Sequence, residues 1–347
     1  MAKNSNLSKA RTAKNDEFYT QMTDVEKELK HYKEHFKDKT ILCNCDDPVH
    51  SAFWKYFHLN FNHLGLKKLI STHYLAQQFK WDLNAEKPYV MEYTGENDND
   101  VNVGTKTYLK GDGDFRSAEC IEFLKESDIV VTNPPFSLFR EFVAVLMKYE
   151  KKFIIWGNNN AITYKEIFSL IQQNKLWPGY LFNATCVFEL PDFYEKWDEK
   201  TTNEMNNGRK YGKVPTITVF TNLEINKRHE KLILYKTYNP EEYPKYDNYD
   251  AINVDKVADI PVDYKGVMGV PITFLNKYDP EQFEIIGCTS AIEIFGVPCY
   301  EFSKKFLDLV TSGKVRTNGN LQKSKPCYID MHGYANIAYH RLFIKYV

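Results

Sequence analysis

The chain has 347 residues, 43% hydrophobic and 15% aromatic, which suffices for one large core and a smaller second one and is too apolar for a disordered chain. Its 45 basic residues are matched by 46 acidic ones, so there is no global basic field and any nucleic-acid contact must come from local patches. Seven cysteines scattered from Cys43 to Cys327 without a C-x-x-C pair argue against a zinc site or a disulfide framework. With no apolar leader and no 18-residue apolar run, the expected location is the reducing cytoplasm, with no membrane and no metal.

Residues 1–15, MAKNSNLSKARTAKN, hold four basic residues and no acid. They read as a disordered basic arm that either lies along phosphate or is simply solvated. DEFYTQ at Asp16 to Gln21 precedes a helical run from Asp24 to Phe36 with Val25, Leu29, Tyr32 and Phe36 on one face, so its aromatic pair serves equally well as a staple for that helix. Thr40 to Cys45, TILCNC, is the predicted first core strand, broken by Asp46-Asp47-Pro48 ahead of a helix bearing Phe53, Phe57 and Phe61. In a doubly wound sheet this first strand-to-helix loop is where ligands bind, yet no G-x-G-x-x-G accompanies it, which argues against a dinucleotide.

Leu66 to His73 predicts a second strand, with no acidic residue at its end. Tyr89 to Thr94 and Thr107 to Lys110 predict a hairpin around the polar loop from Gly95 to Gly104. Gly111-Asp112-Gly113-Asp114-Phe115 comes next, by itself an ordinary Asp-Gly turn. Ile129 to Thr132 then reads as a short buried strand that stops at Asn133-Pro134-Pro135-Phe136 before a helical period begins at Phe139. Two prolines cannot continue a ladder; they leave a stiff turn whose carbonyls can act only as acceptors. The plainer alternative is that Asn-Pro opens a turn and Phe136 staples the next helix.

A helix over Phe139 to Tyr149, a strand over Lys152 to Gly157, an Asn-rich turn and a helix over Thr163 to Asn174 come after it. Two paired strands are expected at Thr185 to Leu190 and Thr216 to Asn222, separated by a long polar loop, Asp192 to Val214, which is unusual in a compact domain unless functional. Beyond residue 225 the alternation fades into a second, mixed domain. There Lys304 to Lys325 holds six basic residues against one acid. Lys314 and Lys323 suit phosphate, while Arg316, Asn318, Asn320 and Gln322 have side chains that can read base edges, with a solvated loop as the competing explanation.

Asn133-Pro134-Pro135-Phe136 resembles the catalytic motif of amino-group DNA methyltransferases. The whole chain resembles the EcoRI-type adenine-specific DNA methyltransferases, with DEFYT, NCDDP, GDGDF, NPPF, FIIWGN, TVFTNL and GVPITFL in that family's order. The resemblance implies an α/β fold: a Rossmann-like, seven-stranded, mostly parallel S-adenosylmethionine-dependent methyltransferase domain over residues 1–224, then a target-recognition domain over 225–347. By resemblance Phe18, Tyr19 and Thr20 close over the methionine end of S-adenosylmethionine, Cys45, Asp46, Asp47 and Pro48 form the cofactor loop, Asp114 accepts from the cofactor's adenine amine and Phe115 packs on its ring. The loop lacks the glycines of the usual Asp-Pro-x-x-Gly-x-Gly motif, as EcoRI-type enzymes do. Arg209, Lys210 and Tyr211 would face DNA beside the flipped base. The resemblance further implies a monomer, with any cognate restriction endonuclease acting separately.

The catalytic turn suits methyl transfer to an aromatic amine, whose ring-delocalised lone pair must be drawn toward tetrahedral geometry. The side-chain oxygen of Asn133 and the main-chain oxygen of Pro134 would accept its two hydrogens, and Phe136 would stack on the base. No strong general base is needed, because the amine becomes acidic only once methylated. The expected activity is site-specific N6-methylation of a flipped adenine in double-stranded DNA, for restriction-modification, phage protection or orphan modification. Methylation of RNA or of a protein glutamine, and a non-catalytic DNA-binding module, are the alternatives.

Overall fold

The computed structural model describes residues 19–45, 47–75, 86–97, 99–190, 202–205, 209–289, 294–316 and 320–347. They form β1 (Tyr19–Thr20), α1 (Met22–Leu29), α2 (Lys33–Phe36), β2 (Thr40–Cys43), α3 (Ala52–Leu59), α4 (Phe61–Leu64), β3 (Lys68–Thr72), β4 (Tyr89–Tyr93), β5 (Thr105–Tyr108), α5 (Ala118–Glu126), β6 (Ile129–Thr132), α6 (Phe139–Lys148) and β7 (Lys152–Asn158). Next come α7 (Lys165–Gln172), β8 (Trp177–Pro178), β9 (Ala184–Leu190), β10 (Thr202–Met205), β11 (Arg209–Thr221), β12 (Ile252–Asn253), β13 (Met268–Pro271) and β14 (Phe283–Thr289). The chain ends with β15 (Ile294–Phe295), α8 (Lys304–Thr311), β16 (Cys327–Ile329), β17 (Ala335–Ile337) and β18 (Arg341–Tyr346). Two compact units result: the chain to Asn159 with Pro178–Leu223, and Asn160–Trp177 with Glu224–Val347.

The first unit is built on a sheet of order β1-β9-β11-β7-β6-β2-β3-β4-β5, with two short strands attached to β11. β7, β6, β2 and β3 run parallel, and every residue of β2 and β6 is buried, which is why TILC and IVVT read as continuous apolar runs. β4, β5, β11, β9, β1 and β10 pair antiparallel, and with β8 the sheet has eleven strands rather than the seven, mostly parallel ones expected. The strands not expected from the sequence are β1, β8 and β10, two to four residues each and too short to carry a period-two signal; β5 forms where the hairpin was predicted, although all four of its residues are exposed. The expected polar loop up to Val214 is likewise shorter, since β11 starts at Arg209 and β10 pairs along it, Asn203 opposite Tyr211.

α6 buries Phe139, Phe142, Val143 and Leu146, the i, i+3, i+4, i+7 face of an amphipathic helix. The run expected as one helix over 24–36 is two, α1 and α2, but Val25, Leu29, Tyr32 and Phe36 are all buried as predicted. Glu28 explains much of how α1 is held. Its carboxylate, 1% exposed, accepts from the Tyr32 hydroxyl (2.7 Å) and from the backbone N–H groups of Tyr180 (2.9 Å) and Leu181 (2.6 Å). A buried charge is tolerable when hydrogen-bonded in this way, and it ties the helix after β1 to the approach to β9.

In the second unit a five-stranded sheet runs β12-β13-β18-β14-β15, and β16 and β17 form a separate hairpin. Tyr246, Tyr249, Ala251 and Phe343 centre one small core; Phe306 of α8 with Cys327, Ala335 and Ile337 centres another. α7 docks on β14 through Gln172, whose amide donates to the carbonyl of Ile286 (3.0 Å).

Candidate active site

β6 ends where the ladder must end. Thr132 donates its hydroxyl to the carbonyl of Asn44, stitching the end of β6 to the end of β2. Asn133 comes next, 7% exposed, then Pro134 buried and Pro135 and Phe136 half-buried. The Leu138 N–H donates to the carbonyl of Pro135 (2.9 Å), closing a 3-10 turn over Phe136–Leu138 that leads into α6. Asn133 is thus placed at the carboxyl end of a central parallel strand, the position at which open α/β sheets bind ligands.

One strand over, Cys45 succeeds Asn44 with φ +66°, a left-handed conformation that costs a non-glycine residue about 1 kcal/mol and marks a site worth inspection. Asp46 lies outside the described residues, as does Phe18. Asp47 organises the rest of this loop. Its Oδ1 accepts from Val49 N–H (2.9 Å) and from the Tyr89 hydroxyl (3.0 Å), and its Oδ2 lies 3.4 Å from His73 Nδ1. The Asp47 carbonyl accepts from Ser51 N–H (2.7 Å), and Ser51 caps α3 by accepting from Phe53 and Trp54. Burial pushes the Asp47 carboxyl up, but the His73 ring, the Val49 N–H and the Tyr89 hydroxyl outweigh it and hold the group below the usual carboxylate range. The Tyr89 phenol is pushed far up, first by burial and then by Asp47.

β1 brings the aromatic motif to this loop. Thr20 pairs with Phe188 of β9, and the Tyr19 ring lies 5.3 Å from that of His50, three residues beyond Asp47. The GDGDF segment arrives from another direction. Gly113 has φ +81°, and a Cβ there would stand 2.3 Å from the His73 carbonyl oxygen, so only glycine allows this approach. Leu75 N–H donates to the carbonyl of Asp112 (2.9 Å) across the same seam. Asp114 is held by Arg116, which donates from its backbone N–H (2.8 Å) and Nε (2.9 Å) to Oδ1 and from a terminal guanidinium nitrogen to Oδ2 (2.7 Å). Burial raises the Asp114 carboxyl, yet these bonds bring it below the usual range. Phe115 is buried edge-on against Phe142 of α6, ring centroids 5.0 Å apart.

The carboxyl ends of β2, β3 and β6 thus meet β1 and the Asp-Gly loop. Among the described residues, Asn44 Oδ1 beyond β2, Thr72 Oγ1 at the end of β3 and Thr20 Oγ1 in β1 are buried without a hydrogen-bond partner. Buried polar atoms are normally paired, so this set fits a polar ligand, such as a nucleoside with an amino-acid tail, seated over the strand ends. The sequence left the end of the second strand unassigned because an acid was sought there. What stands there is His73, its ring stacked on Tyr89 at 5.0 Å, and its position directly after β3 was the available signal.

The residues singled out for DNA separate into three groups. Lys210 and Tyr211 are half-buried in β11, opposite Leu190 and Glu189 of β9; Arg209 begins that strand, and Asn318 lies outside the described residues. Arg316 ion-pairs with Asp330 (3.1 Å) and stacks over Tyr334 at 4.5 Å, and Lys323 pairs with Glu301. Lys314 is exposed at the end of α8. No helix among the described residues is long and apolar enough to cross a membrane, and among them no group of three His, Cys, Asp or Glu residues is placed to hold a metal ion.

A family profile described as adenine-specific methyltransferase EcoRI matches residues 6–346. The chain is 50% identical over 302 residues to the type II methyltransferase M.EcoRI of Escherichia coli, covering 84% of this chain and 91% of that protein. It is 44% identical over 290 residues to the type II methyltransferase M.MgeORF184P of Mycoplasma genitalium, covering 81% and 86%. With the type II methyltransferase M.MpnI of Mycoplasma pneumoniae it shares 42% identity over 285 residues, covering 81% and 85%. No solved structure matches the chain.

Proposed function

The chain belongs to the EcoRI family of adenine-specific methyltransferases, and from that premise we infer that it methylates adenine in DNA as the modification enzyme of a restriction-modification pair. The finer reading is that the acceptor is the N6 amine of an adenine flipped out of a duplex, and that the donor is S-adenosylmethionine, whose sulfonium supplies an electrophilic methyl group. Tyr19, Thr20, the loop from Cys45 to Pro48, Asp114 and Phe115 would hold that donor. The orphaned polar atoms of Asn44, Thr72 and Thr20 support a ligand there.

The observation that carries the reading is the Asn133-Pro134-Pro135-Phe136 turn, nearly buried at the end of a central parallel strand and stitched to the end of β2. In this reading the Asn133 side-chain oxygen and the Pro134 carbonyl accept the two amine hydrogens, which localises the nitrogen lone pair without reorganisation during the reaction. Phe136 stacks on the base and offsets part of the few kcal/mol needed to unstack it. The proton leaves only once the amine carries the methyl group, so no base of raised pKa is required. The first unit is the catalytic domain and the second reads the target. Arg316 would exchange Asp330 for DNA on binding, while Lys323 stays paired with Glu301. The test is to incubate the protein with radiolabelled S-adenosylmethionine and duplex DNA, RNA or protein extract. Label in duplex adenine is expected, and label confined to RNA or protein would replace this reading.

A further inference from the structure

The second unit carries a basic groove that the charge pattern of the sequence only half anticipates. α8 begins at Ser303, whose hydroxyl accepts from Phe306 N–H (3.2 Å) while its own hydroxyl and N–H donate to Asp247 (2.6 and 2.7 Å). Phe306 is buried in the hairpin core, so the helix is seated on β16 and β17 and turns Lys304, Lys305 and Asp308 to solvent. Its other end is a Schellman turn: Gly313, at φ +75°, donates to the carbonyl of Val310 (3.2 Å), and Lys314 N–H donates to that of Leu309 (2.9 Å). That turn folds Lys314 back beside the helix. Ala335 fixes it there, its N–H donating to the Lys314 carbonyl (2.9 Å) and its carbonyl accepting from Arg316 N–H (3.1 Å). Lys304, Lys305, Asp308, Leu309, Ser312 and Lys314 thereby line an open groove of about 580 Å³.

Three ammonium groups face one carboxylate in this groove. Among the described residues none of the three lysines makes an ion pair, whereas Arg316 and Lys323 nearby each have an acidic partner. An unneutralised cluster of long, flexible cations beside a hydroxyl is suited to phosphodiester oxygens, which lysine meets as a point charge without reading sequence. We infer that this groove grips the DNA backbone and that Lys304, Lys305 and Lys314 supply most of the second unit's sequence-independent affinity. The inference rests on the reading of the chain as a DNA-methylating enzyme.

The test uses the full chain with Lys304, Lys305 and Lys314 all changed to Ala, titrated with duplexes of two unrelated sequences at several salt concentrations. Each phosphate contact contributes about 0.9 to the slope of log affinity against log salt. The triple variant should therefore flatten that slope by roughly 2 to 3 units and bind both duplexes more weakly, with thermal stability unchanged. Lys323→Ala should change the slope far less, because Glu301 already neutralises it. Single Lys304→Gln and Lys305→Gln variants, each expected to remove about one unit, keep the test decisive if the triple variant folds poorly. An unchanged slope overturns the inference. If the wild-type protein methylates DNA while the variants keep its slope, only the groove assignment falls; if the wild type labels no DNA, the functional reading falls first.

Discussion

Gly113→Ala probes the seam on which the proposed cofactor site depends. Gly113 has φ +81°, and the added Cβ would lie 2.3 Å from the His73 carbonyl oxygen and 3.1 Å from the carbonyl carbon. Backbone atoms cannot rotate away as a side chain would, so the two segments must part by roughly 1 Å to reach van der Waals separation. The left-handed conformation costs about 1 kcal/mol with a Cβ present, and the Leu75 N–H bond to Asp112 (2.9 Å), stretched past useful length, costs about 1 kcal/mol more. With the residual clash the local penalty is about 3 kcal/mol, which lowers the melting temperature by roughly 6 to 12 °C in a unit of this size. Gly313→Ala is the matched control, since its φ is +75° but no atom lies within 4 Å of the new Cβ; its cost should be about 1 kcal/mol. Differential scanning calorimetry gives both shifts, and titration calorimetry with S-adenosylmethionine should show a loss of tenfold or more for Gly113→Ala only. If Gly113→Ala melts and binds like wild type, the seam is misread.

Tyr89→Phe removes one of the donors holding Asp47 low, so the carboxyl should move up toward its ordinary range. A depressed acid contributes stability that is present above its unfolded pKa and lost as pH falls through the folded value. The variant should therefore lose about 1 kcal/mol at neutral pH and less on acidification, and superimposable acid-unfolding curves would refute the network. Phe136→Ala should cut turnover by roughly one to two orders of magnitude, the worth of one base stack. Phe136→Tyr should be tolerated, and equal damage from both would point to packing instead.

How much the sequence made legible depended on which signals are local. β2, β6 and the buried face of α6 were readable because strands covered on both faces are apolar throughout and a helix repeats every 3.6 residues. β10 and the first half of β11 were not, because polar residues paired along a ladder carry no apolar period. The Asp47, His73 and Tyr89 network joins three strand ends, and no local pattern announces it. At Lys304 to Lys325 the charge excess was visible, but the pairing of Arg316 with Asp330 and of Lys323 with Glu301, which leaves the helix lysines as the unneutralised ones, depends on how the β16–β17 hairpin folds back.

The central claim is that Asn133 activates an adenine amine. Asn133→Ala deletes one preorganised acceptor, an effect of roughly two to three orders of magnitude on turnover, while S-adenosylmethionine affinity should stay within about threefold of wild type because the side chain is assigned to the target amine. The direct measurement is sequencing that detects methylated adenine, applied to DNA from cells expressing the wild type or the variant at matched levels, with rates then taken on the site it reveals. The account predicts N6-methyladenine at one recurring sequence with the wild type and a hundredfold or greater loss of rate with the variant. Wild-type rates in Asn133→Ala, or no methylated adenine with the wild type, would contradict it.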